Sequence, residues 1–450
     1  MRILAGTGIL GYGFADDSLT AGASGGLDLV GCDAGSTDPG PYYLGTGESL
    51  CPRAAVKHDL ARLLAAARAN GAPLVIGSCG GGGGNAQVDH VFAILREVLA
   101  ESGARACVAR IRSEVDPETI AAAIAAGDVG PLDGVPELTA ATARETVRVV
   151  AMMGPEPIAE ALERGADVVL AGRCSDAALF AALPLRRGIE AGTAWYAGKL
   201  LECGATCAVP AGPDCLVAEL DGDGFTLRPA SGRRRCTVES VAAMSLHENA
   251  DPFLHRESSG VLDLSDAEHS QLDERSVRIA GARFFPDSRY TVRLEGVRRA
   301  GHRTVVVAAT RDPRLIERLD EYLAEANGAA EAKLAQAGIQ PGEYTIHMRC
   351  YGGGGGVLGE LESSPSTPRE ATLVAEVVAG TRELSREVAS GFRSTVLHRD
   401  FPGRQCTEGN FALPFSPAEL DGGEAFEFTV WHSLALADPL GPFPIELDDV

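Results

Sequence analysis

A short apolar segment leads into a loop of small and polar residues at Leu27-Asp28-Leu29-Val30-Gly31-Cys32-Asp33-Ala34-Gly35-Ser36-Thr37-Asp38-Pro39-Gly40. From Gly31 to Tyr43 no aliphatic side chain is larger than alanine, so this loop is poor core material. A strand that ends in such a loop is typical of α/β proteins, in which ligands bind beyond the carboxyl ends of parallel strands. We therefore predict an α/β enzyme whose active site is built around this loop.

The same order of strand, glycine and cysteine recurs twice along the chain. Gly77-Ser78-Cys79-Gly80 follows one buried apolar run, and Gly172-Arg173-Cys174-Ser175-Asp176 follows another. Helical patterns, for example at 55–70 and 86–102, separate the predicted strands. This alternation predicts a mostly parallel sheet flanked by helices, and we expect the three loops to meet at one edge of it.

The character of the sequence changes after the cysteines and prolines between Cys203 and Cys215, because the segments Cys236–Glu248 and Ser276–Glu295 are typical of α+β structure rather than of β-α-β units. We predict an α/β core with strand-end loops over 1–235 and an α+β region over 236–360 that completes the main domain. A small C-terminal α+β domain over 361–450 is predicted to follow a linker at 362–370.

The composition and net charge of the chain limit the kinds of molecule that it is expected to bind. The chain has 450 residues, a formal net charge of −22 and 11 cysteines without regular spacing. Such a negative charge repels nucleic acid and anionic lipid, no apolar stretch is long enough to span a membrane, and the first residues do not resemble a signal peptide. We expect a cytoplasmic protein with reduced thiols that forms a homo-oligomer, binds a small anionic substrate, and binds neither nucleic acid nor membranes.

The loop that follows Gly31 carries most of the reactive groups. Its aspartates are suited to general acid–base catalysis or to holding a hard divalent cation such as Mg²⁺, and its cysteine to a nucleophile or proton shuttle. An alternative is a polar turn that only satisfies its own backbone. The predicted catalytic residues are Asp33, Asp38, Cys79 and Cys32.

Two glycine-rich segments bear on cofactor binding. Ser78 to Asn85 lies between a strand and a helix and predicts an anion cradle, with a flexible linker as the alternative. It lacks the Gly-Lys-Ser/Thr ending of an ATP-binding loop. Gly6 to Gly11 fits the dinucleotide-binding pattern, but the next strand begins too early for the usual helix. The sequence thus argues against ATP and NAD.

Charged residues near these loops are candidate substrate contacts. Arg173 is suited to holding a substrate carboxylate, although a structural pair with Asp176 is an equal alternative. Arg53 lies one helical turn from Lys57, where solvated helix charges are the alternative. A Cys203–Cys207 pair without neighbouring histidines is weak evidence for zinc. The predicted substrate-binding residues are Ser36, Thr37, Arg53, Ser78, Gly80, Gly81, Gly82, Arg173, Asp176, Tyr351 and Gly352.

Several strings together resemble the acyclic terpene utilisation protein family. They are Gly31–Tyr43, Gly77–Gly84, Val168–Asp176, Lys199–Ala205, Tyr351–Gly359 and Gly409–Pro417. The resemblance implies a long α/β domain, a small C-terminal α+β domain and a bacterial catabolic or biosynthetic context. It ties no reaction to the fold.

These features lead us to expect a lyase or isomerase of the hydratase/dehydratase kind. Its substrate is expected to be a branched carboxylate or an acyl thioester, in catabolism or secondary metabolism. One alternative is a hydrolase or acyltransferase with Cys79, Cys32 or Cys350 as nucleophile. Another is a non-catalytic subunit that binds an acyl metabolite.

Overall fold

The computed structural model describes residues 1–352, 369–405 and 408–450. Their helices are α1 Asp16–Ala23, α2 Pro41–Thr46, α3 Arg53–Asn70, α4 Asn85–Ser102, α5 Pro117–Ala126, α6 Ala140–Arg144, α7 Glu156–Glu163, α8 Asp176–Arg186, α9 Ala191–Leu201, α10 Val238–Ser245, α11 Pro313–Ile316, α12 Leu319–Gln336 and α13 Arg382–His398. A 3₁₀ turn spans Gly204–Cys207.

The strands are β1 Arg2–Ala5, β2 Leu29–Asp33, β3 Leu74–Gly77, β4 Cys107–Ile111, β5 Val129–Pro131, β6 Arg148–Met152, β7 Val168–Ala171, β8 Ala208–Val209, β9 Leu216–Asp221, β10 Gly224–Pro229, β11 Arg235–Cys236, β12 Leu254–Glu257, β13 Gly260–Asp263, β14 Glu268–Gln271, β15 Val277–Ala280, β16 Arg283–Pro286, β17 Thr291–Thr310, β18 Tyr344–Tyr351, β19 Ala371–Ala379, β20 Leu420–Ala435 and β21 Ile445–Asp449. The predicted helices at 55–70 and 86–102 correspond to α3 and α4.

The chain forms two compact units, which comprise residues 1–298 with 428–450, and residues 299–427. Their borders lie inside β17 and β20. These borders differ from the predicted boundaries at 235/236 and 360/361, and the second of those falls outside the described residues. The division into three parts therefore stays a prediction, as does the linker at 362–370, most of which is also outside the described part.

A ten-stranded sheet organises the first unit, in the order β14-β15-β10-β9-β1-β2-β3-β7-β4-β21. Its five strands β1, β2, β3, β7 and β4 are parallel, and antiparallel strands extend both sides. The α/β class is thus confirmed, while "mostly parallel" describes only the centre of a mixed sheet. The reason is local, because β9 and β10 are joined by a tight hairpin, which forces antiparallel pairing.

Side chains of the central strands alternate between two apolar cores. Leu29 and Val75 point into one core, whereas Val30 and Ile76 point into the other. This period of two follows from strand geometry. It decides which residues at the strand ends share a face.

In the second unit, β17, α12, β18, β19, α13 and β20 follow one another in the split β-α-β order. The strands are arranged β18-β19-β17-β20, and an apolar core that includes Tyr322, Phe392 and Leu373 joins the helices to the sheet. The small C-terminal α+β domain over 361–450 stays a prediction. None of the described helices is long and apolar enough to cross a membrane.

Candidate active site

The three strand-end loops interlock through glycines. A Cβ atom on Gly35 would overlap the backbone of Gly81, and one on Gly83 would overlap the backbone of Arg173. Only glycine lets the loops approach so closely. The structure therefore brings together the loops after β2, β3 and β7, and the Ser113 hydroxyl at the end of β4 joins them by donating to the Gly83 carbonyl at 2.8 Å.

Asp33 is the last residue of β2 and lies on the face opposite Cys32. The residue is 3% exposed, and its Oδ2 accepts a hydrogen bond of 3.1 Å from the Gly35 amide. Among the described residues, Oδ1 has no hydrogen-bond partner. Burial, and then the negative charge of Asp176, raise the pKa of Asp33 well above its usual range. A neutral, proton-donating carboxyl group is the form favoured here.

Asp176 is the first residue of α8, and its charge acts on Asp33. Its side chain is 29% exposed. Burial raises its pKa, while the charges of Arg173, Lys199 and Arg293 oppose that rise. The negative charge of Asp176 opposes ionisation of Asp33, so loss of both protons from this pair of carboxyl groups is disfavoured.

Arg173 lies next to this pair, and each nitrogen of its guanidinium donates a hydrogen bond to the protein. Its guanidinium donates to Glu295 at 2.9 and 3.4 Å, to the Ser78 hydroxyl at 3.2 Å, to the Cys174 carbonyl at 3.4 Å and to Asp176 at 3.5 Å. The predicted role of Arg173 in holding a substrate carboxylate is thus disfavoured, because its donors already have protein acceptors. The alternative of a structural pair with Asp176 fits the geometry better.

Glu295 and Arg293, on one face of β17, complete the cluster. Burial opposes ionisation of Glu295, but the charges of Arg173 and Arg293 and a hydrogen bond from Thr37 keep its pKa below the usual value. Arg293 Nε lies 3.1 Å from the Glu295 carboxylate, and its guanidinium lies 4.8 Å from the centre of the Trp431 ring. Arg293 is only half buried, so it is better placed than Arg173 to meet an anion.

Sequence reasoning missed this pair. The available signal was two opposite charges two residues apart in the apolar run Val292–Val297. Residues two positions apart share one face of a strand. Charged residues are rarely buried unless they are paired, so two of them on a buried strand indicate a polar cluster.

The glycine loop after β3 supports the cluster more than it cradles an anion. Ser78 has a positive φ of 43°, an uncommon backbone state for a residue with a side chain, which holds its hydroxyl against Arg173. Gly80, Gly81 and Gly82 are buried against their neighbours. At the start of α4, the Asn85 amide donates to Glu114 at 2.6 Å and the Gly84 amide to Gln87 at 2.9 Å. The protein's own side chains thus occupy the predicted anion cradle at this helix end.

The two cysteines predicted to be catalytic lie in an apolar core. Cys32 and Cys79 are fully buried in the core that contains Val30 and Ile76. Burial is the main cause that raises the pKa of both thiols well above the usual range. A thiolate is therefore unfavourable at either position, and their predicted catalytic roles lack structural support.

Other predicted site residues lie outside the cluster. Asp38 is exposed, and its amide donates to the Ser36 hydroxyl at 3.1 Å. Arg53 is half exposed and pairs with Glu97 of α4 at 2.5 Å. Tyr351 and Gly352 belong to the second unit, at the end of β18, and are exposed. The residues that follow them in the predicted second glycine loop lie outside the described part of the chain.

A second buried polar group was not predicted either. Lys199 of α9 and Glu202, the residue after this helix, form a pair at 2.5 Å, and Glu257 of β12 accepts a hydrogen bond of 3.0 Å from the Ser175 hydroxyl. Burial raises the pKa of Glu202 to about 8 and that of Glu257 to about 7. The charged residues in the apolar helix of the Lys199–Ala205 string were the signal available in the sequence.

No three histidine, cysteine, aspartate or glutamate side chains converge as a metal site within the described ranges. The expected divalent cation stays untested.

The fold and the cluster define an α/β protein with a buried acid pair at the carboxyl ends of parallel strands. The model of the family described as "Acyclic terpene utilisation family protein AtuA" matches residues 53–404, which is more than three quarters of the chain. The chain therefore belongs to this family, as the sequence predicted. The match begins after the Gly31–Tyr43 loop and ends before the Gly409–Pro417 string. No curated protein and no solved structure matches the chain.

Proposed function

We propose that this chain is a lyase or isomerase of the hydratase/dehydratase kind, which acts by proton transfer on a small carboxylate or its acyl thioester. The observation that carries the proposal is the Oδ1 atom of the buried Asp33, which has no hydrogen-bond partner in the described part of the chain and lies near the more accessible Asp176. A buried carboxyl group is normally fully hydrogen bonded. An unused acid atom next to a second carboxyl group is what an acid–base site offers to a substrate.

Charge balance supports an anionic substrate. With one proton on the pair of Asp33 and Asp176, the cluster holds two carboxylates and the two guanidinium groups of Arg173 and Arg293. Its net charge is then near zero although the whole chain carries −22. Arg293 is the cation whose guanidinium is not saturated by protein acceptors, so it is the residue proposed to hold the substrate carboxylate.

The two carboxyl groups divide the reaction between them. In the dehydration direction, ionised Asp176 takes the proton from the carbon next to the carbonyl. Neutral Asp33 gives its proton to the departing hydroxyl, so that the C–O bond breaks, water leaves and a C=C bond forms. A proton then passes from Asp176 to Asp33, which restores the starting state.

The competing catalytic proposal receives less support. A thiol nucleophile needs a thiolate and access, whereas Cys32 and Cys79 are buried with raised pKa values. Burial also raises the pKa of Cys350 to about 11. Cytoplasmic location, homo-oligomerisation and a Mg²⁺ requirement remain predictions.

Deuterium exchange provides the test. The protein is incubated in D₂O with short 3-hydroxy and 2-enoyl carboxylates and their thioesters, with and without Mg²⁺. We expect deuterium to enter next to the carbonyl, as measured by mass spectrometry, and water to be added or removed. Asp33→Asn should slow both by about 10²- to 10⁴-fold, the usual contribution of one acid–base group.

The matched control is Asp133→Asn, which changes an exposed aspartate of the same unit. Its exchange rate should equal that of the unmodified protein. Undiminished exchange in Asp33→Asn, or no exchange with any member of the panel, would contradict the proposed chemistry.

A further inference from the structure

His255 is a buried histidine with unmade hydrogen bonds. It lies on β12 opposite Leu262 of β13 and is 1% exposed. Neither ring nitrogen has a hydrogen-bond partner in the described part of the chain. The Pro252 carbonyl lies close enough to favour the charged ring, but without the geometry of a hydrogen bond.

The surroundings keep this imidazole neutral. Burial and then the positive charge of Lys199 lower the pKa of His255, and Asp251 opposes this weakly. A neutral imidazole has one donor and one acceptor nitrogen. Leaving both unused in the interior costs free energy, so the ring is suited to a ligand that supplies the missing partners.

His255 also lies beside the acid pair. Glu257 shares its face of β12, because the two residues are two positions apart. Glu257 contacts Ser175, the neighbour of Asp176, and its ionisation is favoured by both Lys199 and Arg293. The hydrogen bond between Glu257 and Ser175 places this face of β12 next to the start of α8, where Asp176 lies.

We propose that His255 binds a hydroxyl group of the substrate while Arg293 binds its carboxylate, so that the ligand class is a hydroxycarboxylate. This inference rests on the proposed function for its placement of the carboxylate. Arg293 supplies charge at the half-exposed end, and the neutral ring selects an uncharged oxygen at the buried end. Replacing that oxygen by a methyl group would leave the ring nitrogens without partners.

Three probes of nearly equal shape separate the two contacts. They are 3-hydroxy-3-methylbutyrate, 3,3-dimethylbutyrate, which has a methyl group in place of the hydroxyl, and 2-methylbutan-2-ol, which lacks the carboxylate. Isothermal titration calorimetry of the full chain should show the hydroxy acid binding at least about tenfold more tightly than either analogue, as expected for a lost buried hydrogen bond or charge contact.

Variants assign each contact to its residue. His255→Phe should reduce the preference for hydroxy acid over dimethyl acid to about onefold, while Arg293→Gln should weaken both acids and leave that ratio unchanged. His58→Phe, at an exposed position of α3, is the matched control and should alter neither quantity. A ratio unchanged in His255→Phe, or equal binding of both acids by the unmodified protein, would overturn the proposal.

Loss of folding in His255→Phe would not block the test. Nitrogen-15 NMR of the unmodified protein should show the His255 ring signals shifting with 3-hydroxy-3-methylbutyrate but not with 3,3-dimethylbutyrate, and equal shifts would refute the contact. Asp33-dependent deuterium exchange with no role for His255 would remove this inference alone. A His255-dependent ratio without exchange would remove the proposed reaction and leave the binding site.

Discussion

The two ends of the same parallel strands differ in what they bury. At the amino ends of β3, β4 and β7, a cavity of about 460 Å³ is lined by Arg68, Arg105, Asp167, Arg186 and Arg187 among others. Its arginines are exposed, and Arg187 pairs with Asp28 at the surface. At the carboxyl ends, Arg173 and Glu295 are buried, and one oxygen of the buried Asp33 has no hydrogen-bond partner among the described residues. The amino ends of these strands thus line a cavity, whereas the carboxyl ends hold a buried carboxyl oxygen without a hydrogen-bond partner among the described residues.

Helix direction explains part of the contrast. At the carboxyl ends of the strands, helices α4 and α8 begin, and their partial positive charge favours carboxylates such as Glu114 and Asp176. At the amino ends, α3 and α8 finish, and their terminal carbonyl groups favour arginines such as Arg68 and Arg186. A basic cavity at helix C-termini is therefore expected from helix stability alone, whereas buried carboxyl groups with raised pKa values are not.

The largest effect on stability is expected from Arg173→Met. Removing the guanidinium leaves Glu295 and Asp176 buried with less compensation, which should lower the free energy of unfolding by about 3–5 kcal/mol. Arg105→Met at the opposite end should change it by less than about 0.5 kcal/mol. Urea denaturation of both variants measures the difference, and equal losses would contradict the contrast between the two ends.

Gly35→Ala should come next. Its Cβ would overlap the Gly81 backbone, so the loops after β2 and β3 must separate, at a cost of roughly 2–3 kcal/mol. Gly71 lines the cavity at the amino ends and has a positive φ of 62°. In Gly71→Ala, the added Cβ would have no atom of the described residues, other than its chain neighbours, within 4 Å. Only backbone strain of about 1 kcal/mol is expected there. Melting temperatures that ranked Gly71→Ala below Gly35→Ala would show that the loops do not interlock.

The smallest effect is a change in pH dependence. Burial raises the pKa of Glu257 from about 4.5 when unfolded to about 7. The folded chain therefore holds the proton more tightly, and this contribution to stability is complete below about pH 4.5 and is lost as the pH rises through 7. Between pH 5 and pH 8, Glu257→Gln should lose about 2 kcal/mol less stability than the unmodified protein. Parallel curves for the two proteins in chemical denaturation would show that Glu257 ionises normally.

Local sequence was sufficient for part of the site. Four of its residues directly follow predicted parallel strands, namely Asp33, Ser78, Arg173 and Asp176. Because the carboxyl ends of parallel strands lie at the same edge of a sheet, these residues could be predicted to lie close together. The predicted role of Cys32 did not take into account that the period of two places Cys32 on the other face from Asp33, in the core that contains Val30.

The remainder depended on distant parts of the chain. Arg293 and Glu295 lie more than a hundred residues after Arg173. The environment of His255 likewise depends on a distant residue, Lys199 of α9, whose charge acts on the imidazole. The unit border at residue 298 was hidden because it falls within the long strand β17, where no turn or glycine-rich segment marks it. Pairing between distant strands cannot be derived from periodicity.

The protonated state of Asp33 at neutral pH is the central claim, and infrared difference spectroscopy measures it directly. A spectrum of the unmodified protein minus Asp33→Asn, recorded at pH 7, should contain the carbonyl stretching band of a neutral carboxylic acid, shifted in D₂O. A carboxylate signature for Asp33 would mean that its burial does not hold the proton, and the acid–base account would fail.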